Sequence, residues 1–125
     1  MRLLIDTQVL IQAYLGDVFP AKVKAHLENP DNERLVSSMS VVEIALKHAK
    51  NKLPMTEAHV HQAVADLRLT VIPFAAQYAY RLFTLPQHHR DPFDRMLIAT
   101  ALVEGIPIVS SDTQFKRYKG LTVLW

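Results

Sequence analysis

Five short apolar runs, joined by stretches with helical periodicity, constrain this chain more than any other feature. They cover residues 3–5, 35–37, 70–72, 106–110 and 121–124. Between them, apolar residues recur at three- and four-residue spacing, as one buried helical face requires. The stretch beginning near Thr7 carries Val9, Leu10, Ala13 and Tyr14 and stops at Gly16-Asp17. Further helices are predicted over 22–27, 40–50, 56–68 and 75–85, and a short one over 114–118. The most strongly marked helix follows Asp91-Pro92. Asp accepts orphan amide hydrogens, and Pro at the first helical position has none to satisfy. Its body, with Met96, Leu97, Ala101 and Leu102, runs to a stop at Gly105. Short apolar strands alternating with helices imply an α/β fold, a mostly parallel central sheet covered on both faces. Sites in such sheets form beyond the carboxyl ends of the strands. Asp6 and Asp112 both fall there.

At 125 residues and 50% hydrophobic, the chain reads as a single domain over 1–125 with a sizeable core. The start, Met-Arg-Leu-Leu-Ile-Asp, reaches a carboxylate too soon for a signal peptide. No apolar run approaches the roughly 18 residues of a membrane span. Absence of cysteine excludes disulfides, a thiolate nucleophile and Cys-based zinc sites. A cytoplasmic protein is the expectation. The net charge of +2 does not by itself indicate nucleic-acid binding. It would matter more if several acids were gathered in one place, leaving the rest of the surface more basic.

Each acid has a structural explanation when taken alone. Ser40 and Glu43 have the spacing of a capping box, in which each side chain satisfies the other's backbone amide. Asp91 reads as the cap before Pro92, and Asp94 as a charge facing the helix's positive end, worth roughly 0.3–1 kcal/mol. Asp6 and Asp112 could cap the helices that follow them. The set is more telling than its members. Two acids end different strands, and two occupy first turns of helices on the same expected edge. Gathered carboxylates repel, and their pKa values rise unless a cation compensates. Hard divalent ions with oxygen ligands, Mg²⁺ or Mn²⁺, suit such a set. They orient a water nucleophile and stabilise charge developing on a phosphoryl group.

Other residues carry weaker signals. His59 and His61 lie on different helical faces, which is poor ligand geometry. His88-His89 beside Arg90 reads as a solvated basic loop near enough to contact phosphate. Thr7 and Ser110 are candidates to support carboxylates or waters by hydroxyl hydrogen bonds. Lys47, Arg90 and Arg95 sit near the acids in sequence; they read first as a solvated face and, if those acids hold metal, are placed to meet an RNA backbone.

These residues resemble the PIN-domain ribonucleases, and among them the VapC-like toxins of toxin–antitoxin pairs. The resemblance runs through Leu4-Ile5-Asp6-Thr7, Ser40-Val41-Val42-Glu43-Ile44-Ala45, His89-Arg90-Asp91-Pro92-Phe93-Asp94-Arg95 with 97–102, Ser110-Ser111-Asp112 and the terminal Val123-Leu124-Trp125. It implies a three-layer α/β/α domain and a metal-dependent, single-strand-selective endoribonuclease. Acids matching Asp6, Glu43, Asp94 and Asp112 would bind one or two Mg²⁺ or Mn²⁺ ions and activate water, with Asp91 a weaker candidate ligand. Thr7 and Ser110 match supporting hydroxyls. A small antitoxin as inhibitor, a homodimer, and a transfer or ribosomal RNA substrate are implied as well. Gln8 stands where His is common, Ile11-Gln12 replaces Leu-Trp, and Ser110 replaces Thr. No acid is lost, so these departures bear on substrate choice more than on catalysis.

Two competing readings exist. A catalytically silent PIN-fold module would bind RNA or a partner without turnover; the presence of all four acids argues against it. A receiver-like phospho-acceptor domain needs an acidic pair after its first strand, an Asp after its third and a Lys after its last. Here Asp6 is followed by Thr7 and Ile72 by Pro73, and Trp125 ends the sequence without such a Lys.

Overall fold

The computed structural model describes residues 1–125. Its elements run β1 (Arg2–Ile5), α1 (Thr7–Leu15), α2 (Ala21–Glu28), β2 (Glu33–Ser37), α3 (Ser38–Ala49), α4 (Glu57–Asp66), β3 (Leu69–Ile72), α5 (Ala76–Arg81), α6 (Pro92–Glu104), β4 (Ile108–Val109) and β5 (Val123–Leu124). Short 3-10 turns cover Leu82–Thr84 and Thr113–Arg117. The strands form one sheet in the order β3-β2-β1-β4-β5, and every neighbouring pair is parallel. No helix is long and apolar enough to cross a membrane.

Period-2 alternation in the strands divides the core into two layers. Leu3, Ile5, Val36 and Val109 face one way, against Val9 and Leu10 of α1, Val23 of α2, Ile44 of α3 and Val60 of α4. Leu4, Leu35 and Ile108 face the other way, against Leu97, Ile98 and Ala101 of α6 and the ring of Phe115. Helices therefore cover both faces, which is the expected three-layer arrangement. Each fully buried Leu or Ile here contributes roughly 1.5–3 kcal/mol, so the central strands are fixed firmly on both sides. β3 is one of the two edge strands, which explains why its Thr70 and Val71 are exposed.

The strand order creates one crevice. From β1 the chain moves outward through β2 to β3, then returns past β1 to lay β4 on its other side. Helices leave adjacent strands in opposite directions at such a reversal, opening a gap beyond the carboxyl ends of β1 and β4. Ile5 pairs with Val109, so the next residues, Asp6 and Ser110, emerge side by side into that gap. A receiver-like domain is wound in the flavodoxin-like order 2-1-3-4-5, which this sheet does not have.

Several local expectations are corrected. α3 begins at Ser38 directly from β2, and Ser37 is its cap, accepting the Met39 N–H at 3.0 Å. Ser40 and Glu43 therefore form no capping box, because both already lie inside the helix. The box occurs instead on α4, where Thr56 and His59 satisfy each other's backbone amides. α5 ends at Arg81 and tightens into a 3-10 turn rather than continuing to Leu85. α1 and α6 end as expected, on Gly16 and Gly105 in the left-handed conformation (φ 76° and 64°).

Candidate active site

The crevice gathers side chains from four separate parts of the chain. Asp6 stands at the start of α1 but makes no capping bond. Its Oδ2 accepts the Ser110 hydroxyl at 2.8 Å, and Ser110 Oγ in turn accepts the Asp112 N–H at 3.0 Å. Asp6 is only 4% exposed. Burial raises its carboxyl from 3.8 to about 6; the Ser110 hydroxyl and the nearby Gln8 amide oppose that rise, and the charges of Glu43 and Asp112 add to it.

Glu43, 8% exposed, comes from α3. Its Oε2 pairs with Lys47 Nζ one turn on at 3.0 Å, while its buried Oε1 has no hydrogen-bond partner. Thr7 does not support a carboxylate directly: its hydroxyl donates to Ser40 Oγ at 2.7 Å, tying the start of α1 to the first turn of α3.

Asp94 lies in the first turn of α6. Burial is the largest cause lifting its carboxyl to about 7; Asp6, Asp91 and Glu43 lift it further, while His89 opposes them. Asp6 therefore raises the proton affinity of Asp94 across the crevice. Asp91 is the cap of α6, its Oδ1 accepting from Phe93 N at 2.8 Å and Asp94 N at 3.1 Å. Asp112 caps the following 3-10 turn through Oδ1, which accepts Gln114 N–H at 2.9 Å.

His89 belongs to this site rather than to a solvated loop. Its Nε2 lies 2.8 Å from Asp112 Oδ2 and 3.1 Å from Asp94 Oδ2, and its side chain is largely buried. The ring packs edge-on to Phe115, and its backbone N–H donates to the Tyr118 hydroxyl at 2.9 Å. Its position two residues before an Asp-Pro helix start was the available signal, since the Asp91 N–H bonds back to His89 Nδ1 at 3.1 Å.

The predicted cations divide. Lys47 is paired with Glu43, and Arg90 is exposed. Arg95 turns inward, donating to the carbonyls of Pro86 at 2.8 Å and Leu85 at 3.2 Å and lying 3.4 Å from the Tyr118 hydroxyl. Its fork straps down the segment that carries His89, so its hydrogen bonds in the structure are all made within the chain.

The donor set suits a hard cation. It consists of carboxylate oxygens, one of them (Glu43 Oε1) buried and unpartnered, beside Asp6 and Asp94, whose proton affinities are raised chiefly by burial.

An all-parallel α/β fold with a carboxylate crevice at its topological switch point is the class these features define. The sequence model of the family described as "PIN domain" matches residues 3–121, and the chain belongs to that family. No curated protein matches it by sequence. Among solved structures, it is similar to one of VapBC2 from Rickettsia felis bound to a promoter DNA fragment (TM-score 0.75, 19% identity, 98% of this chain and 97% of that one). It is also similar to DNA-bound VapBC from Salmonella typhimurium (TM-score 0.70, 17% identity, 98% and 96%). FitAcB from Neisseria gonorrhoeae gives a TM-score of 0.64 at 18% identity, covering 98% and 96%. At these identities the likeness establishes the fold.

Proposed function

We propose that the chain is a divalent-metal-dependent endoribonuclease and the toxin of a toxin–antitoxin pair. The observation that carries this reading is the convergence of buried Asp6 and Glu43 with part-buried Asp94 and Asp112 in a PIN-family fold, with Glu43 Oε1 lacking any protein donor. Similarity to VapBC structures supports the toxin assignment and a small antitoxin as partner.

Asp6, Glu43 and Asp94, with Asp112 beside them, would hold Mg²⁺ or Mn²⁺. A bound ion would supply an activated water and counter-charge for the phosphoryl oxygens of an RNA phosphodiester. The remaining roles belong to the chain's own groups. Ser110 fixes Asp6, and Lys47 anchors one oxygen of Glu43 while leaving the other free. Arg90 provides positive charge for the RNA backbone, in single-stranded parts of transfer or ribosomal RNA. Asp91 acts as helix cap and not as ligand. A cytoplasmic homodimer, silenced by an antitoxin tail that brings an Arg to the carboxylates, completes the reading.

The test is cleavage of single-stranded RNA by metal-stripped protein resupplied with Mn²⁺ or Mg²⁺. Activity should depend on the ion and disappear in the Asp6→Asn/Asp94→Asn double variant. Undiminished cleavage by that variant overturns the assignment.

A further inference from the structure

We propose that His89 takes the place of a second cation, so that the crevice holds one divalent ion per chain and not two. The inference rests on the metal-dependent reading above and specifies its stoichiometry.

Asp94 enters from α6 and Asp112 from the segment after β4, and one oxygen of each faces the same point. Two carboxylates so placed repel unless something positive or a hydrogen-bond donor lies between them. By distance alone, His89 Nε2 and the two carboxylates could be three ligands of a metal, since their ligand atoms all lie within 4.8 Å of one another. The hydrogen bonding of the ring argues otherwise. Its Nδ1 faces the Asp91 backbone N–H at 3.1 Å. A backbone amide can only donate, so Nδ1 presents a lone pair and the ring hydrogen of the neutral imidazole sits on Nε2. A nitrogen carrying hydrogen cannot ligate an ion. Nε2–H therefore acts as a donor to Asp112 Oδ2 at 2.8 Å, with Asp94 Oδ2 lying 3.1 Å from the same nitrogen.

The ring is held in that orientation. Phe115 packs against it with ring centroids 5.5 Å apart, Tyr118 grips its backbone N–H, and Arg95 straps the preceding carbonyls. Reversing the ring would leave the Asp91 amide without its acceptor in a partly buried position, which is costly. Asp112 is then engaged at both oxygens, by His89 at Oδ2 and by the Gln114 amide at Oδ1. The unpartnered carboxylate oxygen of the crevice is instead Glu43 Oε1. His89 thus acts as a positioning residue: it gathers Asp94 and Asp112 and confines the ion to the side of Asp6 and Glu43.

The experiment is a Mn²⁺ titration of the full metal-stripped chain at fixed pH, counted by EPR and calorimetry. Pulsed EPR for ¹⁴N coupling and ¹⁵N NMR of the His89 ring accompany it. Wild type should take up one Mn²⁺ without imidazole coupling, and the metal-free ring should show the Nε2–H tautomer. His89→Ala should admit a second ion, and His89→Gln, whose amide can still donate, should return the count to one. Two ions in wild type, one ion in His89→Ala, or nitrogen coupling that vanishes with His89 each overturn the proposal while leaving metal dependence standing. The wild-type count and coupling decide the matter even if His89→Ala fails to fold. No Mn²⁺ uptake at millimolar concentration removes the metal reading itself, and this proposal with it.

Discussion

The Ser110 hydroxyl donates to Asp6 Oδ2 at 2.8 Å across a separation of 104 residues. The contact follows from strand register: Ile5 lies beside Val109, so the residues after them meet at the sheet's carboxyl edge. Ser110 is 1% exposed and also accepts the Asp112 N–H, so one hydroxyl orders two of the four acids.

Replacing it tests that link. Ser110→Ala leaves the buried Asp6 oxygen and the Asp112 amide without partners and should destabilise the chain by about 1–3 kcal/mol. Its Mn²⁺ affinity should fall by roughly 10–100-fold, as for outer-shell partners of metal ligands. Ser110→Thr keeps the hydroxyl and should stay near wild type. Urea midpoints and Mn²⁺ titrations check both; an alanine variant indistinguishable from wild type would show that the bond orders neither acid.

Asp6 gives a pH dependence opposite to that of a salt-bridged carboxylate. Its pKa rises from 3.8 to about 6 on folding, so the native state binds a proton that the unfolded state has released. Stability is therefore greatest below about pH 4 as far as this group is concerned, and falls as pH rises through 6. The raised Asp94 continues the same trend to about pH 7. For Asp6 the loss is on the order of 2–3 kcal/mol. With EDTA present, Asp6→Asn should gain on wild type in urea midpoint as pH goes from 5 to 7.5, and Mn²⁺ should close that gap at pH 7.5. A difference between the two proteins that does not change with pH would contradict the buried-acid account.

Much of this was legible because it depends on neighbours in sequence. The alternation of apolar runs and helices predicted the parallel three-layer fold, and Asp91-Pro92 predicted the start of α6, whose cap bonds are present. Ser40 misled because β2 passes into α3 without a loop, which moves the cap back to Ser37 and buries Ser40 against Thr7. His89 and Arg95 read as solvated cations from the sequence because most of their partners lie far along the chain. Asp112 and Tyr118 lie 23 and 29 residues beyond His89 and reach it only through the sheet.

The two arginines of the His-Arg-Asp-Pro-Phe-Asp-Arg segment should separate cleanly. Arg95→Ala removes charged hydrogen bonds to Leu85 and Pro86 and should lower stability by about 1.5–3 kcal/mol. Arg95→Lys should recover little, since one ammonium cannot replace a fork that reaches both carbonyls. Arg90→Ala should leave the urea midpoint unchanged and instead weaken RNA binding, reducing the slope of log K against log salt by about 1. The reverse pattern, with Arg95 setting the salt slope, would return Arg95 to the RNA surface.

Glu43 offers the sharpest separation of ligand from scaffold. Its Oε1 is buried and unpartnered, while Lys47 holds Oε2. Glu43→Gln keeps the shape, removes one charge from beside Asp6 and Asp94, and weakens the pairing with Lys47. The first change favours the metal-free fold and the second opposes it, so metal-free stability at neutral pH should move by less than about 1 kcal/mol, the scale of a partly exposed pair. Metal-dependent stability should change far more. At a Mn²⁺ concentration a hundredfold above Kd, binding stabilises wild type by about 2.7 kcal/mol. That amounts to several degrees in Tm for a chain of this size. Loss of a ligand costs more than the roughly 10–100-fold of an outer-shell partner, so the same Mn²⁺ should leave the Tm of Glu43→Gln nearly unmoved. A shift equal to that of wild type would mean that Glu43 contributes charge to the crevice but no ligand to the ion.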